Sequence, residues 1–186
     1  MKAILKLIAV VGIAFAATAN AQTKTVDIQA KGKYFNSVWK SWSPENIRVY
    51  VDKEANVYIS SGDALIGATG FISKDQYKPL IAALKKAQEW ATKAKEAKLE
   101  TTKEIASFLT PYNTHEQGIS LTFFAARSGE QTDVILKVKD FDNMFKSIDV
   151  YVEPDQVTQL ITVLEKVPAT LKDLREGGNK ADDILK

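Results

Sequence analysis

Apolar residues alternate with polar ones in two groups of short stretches, one in each half of the chain. Such alternation predicts strands of antiparallel sheets with one buried face. Turn-forming residues at 52–56 and 128–130 separate neighbouring stretches and predict hairpins. The alternating apolar positions are Ile47, Val49, Val51, Ile119, Leu121, Phe123, Val134, Leu136, Val138, Ile148, Val150 and Val152. Further strands are expected at 25–30 and 64–72, whereas 103–109 fits either a strand or a short helix.

Each group of strands is followed by a segment with helical spacing, and the two segments repeat one another. The shared pattern is Asp-Gln-x-x-x-Leu-Ile-x-x-Leu-x-Lys, which begins at Asp75 and again at Asp155. A capping box at Ser73 predicts the start of the first helix. Glu153 as the cap, with Pro154 at the first helical position, predicts the start of the second.

These patterns predict an α+β fold. It consists of two pseudo-repeated units, each with about four antiparallel strands followed by one helix, packed as one domain around a common core. The units are expected at 22–98 and 99–174, and Pro168 is expected to kink or end the second helix. The glycine-containing segment 175–186 is predicted to be a flexible tail.

This arrangement resembles the duplicated four-strand-plus-helix fold of the Whirly proteins, which bind single-stranded nucleic acid. Lys31-Gly32-Lys33 follows the first predicted strand, and a Lys-Gly-Lys element follows an early strand in Whirly proteins. The resemblance implies a shared topology over most of the chain. It also implies single-stranded nucleic-acid binding as one candidate function.

The N-terminus has the features of a secretory signal peptide. Lys2 and Lys6 supply positive charge, residues 7–15 form a short apolar core, and a small-x-small motif ends at Ala21. The apolar run is shorter than the ~20 residues that a membrane-spanning helix needs. We therefore expect residues 1–21 to be cleaved near Ala21-Gln22, and the mature chain to be periplasmic or secreted with no transmembrane segment.

Cleavage would change the charge of the protein. The full chain has 25 basic and 23 acidic residues, and residues 1–21 contain two lysines and no acid, so the mature chain has 23 of each. A neutral chain has no overall attraction for nucleic acid, which argues against such a partner. The chain has no cysteine, which excludes disulfides, thiol catalysis and zinc–cysteine sites.

The segment 31–42 is the strongest candidate for a binding site. It contains two of the three tryptophans together with three lysines, and it has no evident counterpart in the second half. Rings interleaved with cations suit flat ligands such as bases or sugar faces. The predicted ligand-binding residues are Lys31, Lys33, Tyr34, Trp39, Lys40 and Trp42. The alternative, which is the commoner role of large aromatics, is that Tyr34, Phe35 and Trp39 cap one end of the core.

No catalytic, metal-binding or cofactor-binding motif is recognisable. His115 is the only histidine, and no partner for it is visible. The leading hypothesis is an exported, non-enzymatic binding or interaction protein, with an envelope polysaccharide or another envelope component as the favoured ligand. The alternatives are a structural envelope protein that forms homo-oligomers through its sheet edges, and an enzyme whose site gathers His115, Asp63 and Glu116.

Overall fold

A computed structural model of the chain describes residues 25–37, 39–52, 54–62, 67–110 and 118–184. The predicted signal peptide lies outside these residues. The elements are β1 (Thr25–Asn36), β2 (Ser41–Val51), β3 (Val57–Ser61), β4 (Ala68–Ile72), α1 (Tyr77–Glu96), β5 (Thr101–Leu109), β6 (Gly118–Ala126), β7 (Gln131–Lys139), β8 (Ser147–Val152), α2 (Pro154–Glu165) and α3 (Val167–Ile184). None of the described helices is long and apolar enough to span a bilayer.

The strands form one antiparallel sheet of eight, in the order β4-β3-β2-β1-β8-β7-β6-β5. The predicted α+β class and single domain are confirmed. Each half is a four-strand meander followed by helix, and the two meanders are joined edge to edge where β1 meets β8. The registered pair at this junction is Lys33 with Tyr151. The sheet is therefore continuous and is not a pair of stacked sheets.

The sheet curls, so that β4 at one edge contacts β6 and β7. The Thr69 amide donates to Asp140 Oδ2, and the Thr69 carbonyl accepts from the Phe141 amide, each at 3.0 Å. Thr110 Oγ1 donates to the Phe71 carbonyl at 2.8 Å. Loop and side-chain hydrogen bonds thus satisfy part of the β4 edge that would otherwise be open.

The concave face of the sheet and the apolar faces of the helices enclose the main core. Alternate residues of β3, β6, β7 and β8, and of β2 from Ile47 to Val51, point into this core, as the sequence pattern predicted. The largest fully buried side chains in it are Ile47, Ile59, Ile72, Leu80, Leu84, Ile119, Leu121, Leu136, Leu160 and Leu164. The opposite, convex face is where outward-pointing strand residues reach solvent.

The helix starts were largely predictable. α2 begins at Pro154 with the expected capping box between Glu153 and Gln156. α1 begins at Tyr77, four residues after Ser73. The Gln76 side-chain oxygen nevertheless accepts from the Ser73 amide at 3.0 Å, so this half of the predicted box is present. Pro79 favours the later start, because it has no N–H to donate and only the first turn tolerates that loss.

Residues 103–109, whose pattern fits either a strand or a short helix, are strand, as part of β5.

The segment from Arg175, predicted to be a flexible tail, is helical as far as Ile184, as part of α3. Val167 and Leu174 are buried and dock the helix. Each glycine within it costs only about 1 kcal/mol, which is too little to end a docked helix.

The β1–β8 junction depends on a glycine. A Cβ added to Gly32 would lie 2.5 Å from Val150 Cγ1 and 3.1 Å from the Tyr151 carbonyl oxygen. Val150 is fully buried and cannot move away. We expect Gly32→Ala to lower the free energy of unfolding by about 1–3 kcal/mol, measured by urea denaturation. The exposed neighbour Lys31→Ala is the control and should change it by less than about 0.5 kcal/mol; equal effects would contradict a close β1–β8 contact.

Candidate binding surface

The segment 31–42 is mostly strand and forms the far end of the β1–β2 hairpin. Phe35 pairs with Trp42, and Asn36 pairs with Ser41, next to the turn at 37–40. The first hairpin, from β1 to β2, spans Thr25–Val51, and the corresponding one in the second half, from β5 to β6, spans Thr101–Ala126. The two hairpins therefore have similar lengths. The absence of a counterpart in the second half is therefore a difference of side chains and not an insertion.

Strand alternation decides which side chains of β1 are available. Ala30 and Gly32 are buried on the concave side. Lys31, Lys33 and Phe35 therefore lie on the convex side. Lys31 is exposed there and pairs in register with Asn46 of β2.

An aromatic cluster of Phe35, Trp42 and Tyr151 spans β1, β2 and β8 on the convex side. The Trp42 ring is 5.4 Å from the Phe35 ring and 4.8 Å from the Tyr151 ring, both edge to face. Such contacts fix ring orientation. Half of Trp42 nevertheless remains exposed, and 48% of Phe35 does. The cluster is therefore an ordered apolar surface in contact with solvent.

Lys33 borders this aromatic cluster. Its Nζ lies 5.5 Å from the Trp42 ring centroid, 2.7 Å from Glu153 Oε1 and 3.7 Å from Asp133 Oδ1. Burial by itself lowers the pKa of Lys33, but the hydrogen bond to Glu153 and the charge of Asp133 outweigh burial and raise it. Lys33 is thus a fixed cation whose charge is already matched by two carboxylates.

A groove of about 460 Å³ opens beside the aromatic cluster, where β1 and β8 diverge beyond their registered pair. One wall is formed by β1 and the turn after it, and the other by β8. Its lining residues are Tyr34, Phe35, Asn36, Ser37, Ser147, Ile148, Asp149 and Tyr151. Hydroxyl, amide and carboxylate groups therefore lie directly next to exposed rings.

The structure separates the aromatic residues that the sequence grouped. Tyr34 is half-buried, packs against the main core, and accepts a hydrogen bond at its hydroxyl from Asn36 Nδ2 at 3.3 Å. Trp39 is 78% exposed, in the same turn as the exposed Lys40. The alternative of core packing is wrong for Trp39 and Phe35 and correct for Tyr34. The physical reason is that Tyr34 alone of these three points to the concave side.

A second aromatic group on the sheet is closed to ligands. Tyr58 stacks on Phe71 at 5.0 Å and meets Phe141 edge to face at 5.7 Å, and Phe71 is buried. Burial, together with the hydrogen bond from its hydroxyl to Asp52, raises the pKa of Tyr58 to about 12. These rings pack on one another, whereas the Phe35–Trp42–Tyr151 cluster offers an open surface beside a groove.

Sequence reasoning missed several members of this surface. Tyr151, Glu153 and Asp133 were not predicted, although the alternation around Tyr151 places that ring outward. The missing information was the adjacency of β1 and β8, since contacts between strands that are far apart in the chain leave no local pattern. Among the predicted residues, Lys33 and Trp42 are brought together.

The residues of the catalytic alternative, His115, Asp63 and Glu116, lie outside the described part of the chain. Within that part, no group of three or more His, Cys, Asp or Glu side chains is arranged to hold a metal ion.

No family model, curated protein or solved structure matches this chain. The Lys31-Gly32-Lys33 element that resembles the Whirly motif lies inside β1. Gly32 is buried against β8, and Lys33 is paired with carboxylates. Of the two lysines in this element, Lys31 is therefore the one that lies exposed.

Proposed function

We propose that this protein is an exported, non-enzymatic binding protein that holds an extended polysaccharide on its convex face. The observation that carries the proposal is the half-exposed Trp42 ring, fixed edge to face by Phe35 and Tyr151 beside a polar groove. The flat apolar face of a sugar packs on such a ring. Polar groups of the groove can hydrogen-bond the hydroxyls along its edge.

The direction of the groove supports an extended ligand. It runs between β1 and β8 from Tyr151 towards Ser37 and Ser147. An open cleft that joins an aromatic platform to hydroxyl and carboxylate groups suits a chain of sugar units better than a small enclosed molecule. Export, predicted from residues 1–21, would place the protein where envelope polysaccharides are found.

Two alternative functions receive less support. Self-association through the β4 edge needs free backbone groups, and there the Thr69 amide and carbonyl and the Phe71 carbonyl are already bonded. Single-stranded nucleic-acid binding needs available cations along the platform, and the Lys33 charge is already matched.

The strand–helix order of both halves also supports, as a proposal, an origin by duplication of one unit.

The test replaces the platform ring. We expect Trp42→Ala to weaken binding to purified peptidoglycan, used as the probe polysaccharide, by at least about tenfold, because a central aromatic usually dominates such a contact. Loss of two edge-to-face contacts should cost only about 1–3 kcal/mol of stability. Co-sedimentation measures binding, and thermal unfolding measures stability.

Trp39→Ala is the matched control, since Trp39 is also an exposed tryptophan but lies outside the cluster. It should bind peptidoglycan as the unmodified protein does. The proposal fails for this polysaccharide if the unmodified protein does not sediment with it. It also fails if both tryptophan variants lose binding equally, because the platform would then not be the contact.

A further inference from the structure

Exposed large apolar side chains gather at one end of the sheet. This loop end comprises the β1–β2 turn, the β7–β8 loop and the adjoining strand ends, and it is marked by the registered pairs Asn36–Ser41, Leu109–Gly118 and Lys139–Ser147. The exposed large apolar residues there are Phe35, Trp39, Trp42, Leu109, Met144 and Phe145. Among the described residues, the remaining one, Leu99, lies at the opposite end.

The β7–β8 loop is ordered by its own polar groups. Asp140 Oδ1 accepts from the amides of Asp142 and Asn143, each at 3.0 Å. Asn143 Oδ1 accepts from the Phe145 amide at 3.0 Å. The loop nevertheless leaves Met144 52% and Phe145 89% exposed. An ordered loop that holds an aromatic ring in water is explained most simply by a partner that takes up the ring.

The β1–β2 turn presents Trp39 in a similar way. Asn36 Oδ1 accepts from the Trp39 amide at 3.0 Å, and Lys40 adopts a left-handed conformation with φ 49°. The β1–β8 register, continued beyond its last pair, brings Ser37 opposite Ser147, and both line the same groove. The two apolar tips therefore stand on opposite sides of that groove, at the same end of the molecule.

The chemistry of the tips favours a lipid bilayer over a protein partner. Rings that are 78% and 89% exposed stand clear of the surface, so a protein would need a separate pocket for each. The bilayer interface accepts Trp, Phe and Met without preformed pockets. The exposed Lys40 follows Trp39 directly, where its ammonium group can reach the phosphate layer.

We propose that the loop end docks on a phospholipid bilayer, with Trp39, Met144 and Phe145 entering the interfacial region. This goes beyond polysaccharide binding, since it uses the tips and not the convex face. The β7–β8 loop also carries the acidic Asp142, so the apolar side chains carry most of the binding. Vesicles of pure phosphatidylcholine should therefore bind, and an equal admixture of phosphatidylglycerol should strengthen binding only modestly.

The test compares tip variants of the purified protein by vesicle co-sedimentation. We expect Trp39→Ser/Phe145→Ser to lower the partition coefficient by at least about tenfold. The matched control is Leu99→Ser, because Leu99 is an exposed apolar residue at the opposite end. This variant should leave the partition coefficient unchanged. Trp39, Phe145 and Leu99 are exposed, so thermal unfolding should be nearly the same for these tip and control variants. Trp42→Ala should retain vesicle binding, which separates this proposal from the platform.

Insertion is also visible spectroscopically. Brominated lipids should quench the tryptophan fluorescence of the unmodified protein more than that of Trp39→Phe. This variant keeps an apolar tip but lacks the Trp39 fluorophore. Absence of binding to both vesicle types would overturn the proposal, as would equal binding by the double tip variant. A concentration-dependent dimer that the double variant abolishes, without vesicle binding, would assign the tips to a second copy of the chain and would also overturn it.

Discussion

Replacing Gly129 with alanine should lower the free energy of unfolding by about 3 kcal/mol. Gly129 lies in the β6–β7 turn with φ 79°, a conformation that strains residues with a Cβ. That Cβ would also lie 2.2 Å from the Ala94 carbonyl oxygen and 2.8 Å from the Lys95 amide nitrogen. Both are backbone atoms of α1, so either the turn or the helix must move.

The Gly129→Ala substitution should lower stability because the close contact of Gly129 with Ala94 and Lys95 packs the C-terminal part of α1 against the sheet. Urea denaturation at neutral pH measures the loss. The neighbouring Glu130→Ala is the control, since Glu130 is exposed and should change stability by less than about 0.5 kcal/mol. A loss below about 1 kcal/mol for Gly129→Ala would contradict this close approach of the turn to α1.

Replacing Lys33 with methionine should lower the free energy of unfolding by about 2 kcal/mol. Lys33 Nζ lies 3.7 Å from Asp133 Oδ1, and the Asp133 side chain is only 2% exposed. Removing the ammonium leaves a buried carboxylate without its cation. The cost is smaller than for a fully buried pair, since Lys33 itself is partly exposed.

A double variant identifies the cause. Lys33→Met/Asp133→Asn carries no buried charge and should be at least about 1 kcal/mol more stable than Lys33→Met alone. If the double variant is no more stable, the loss comes from packing of the lysine stem and not from the stranded carboxylate. Chemical denaturation of the unmodified protein, both single variants and the double variant completes the cycle.

The pH dependence has a defined sign. The folded state raises the pKa of Lys33 above its ordinary value of 10.5, so the unfolded chain loses this proton first as pH rises. The stabilisation by Lys33 is fully present below about pH 10.5 and is lost as pH rises through the folded pKa. The stability difference between the unmodified protein and Lys33→Met should thus stay constant around neutral pH and shrink in strong alkali.

The local elements could be predicted because their signals are local. The alternation of Ile119, Leu121 and Phe123 requires one buried face, and it became β6. Glu153 and Pro154 satisfy the first amide groups of a helix, and α2 begins there. By contrast, the first strand was predicted only for residues 25–30, whereas β1 continues to Asn36. Residues 31–36 are strand because β2 and β8 supply their hydrogen-bonding partners and packing.

The sequence by itself determined the α+β class, most of the strands, the start of α2, and the segment most worth testing. Only the tertiary structure decided that β1 joins β8, that Trp42 lies between Phe35 and Tyr151, and that Trp39 and Phe145 stand at the same end. Alternation and capping act over a few neighbouring residues, so a short stretch of sequence is enough to predict them. Adjacency between distant strands arises from the sum of many weak packing contacts, and no short stretch of sequence encodes it.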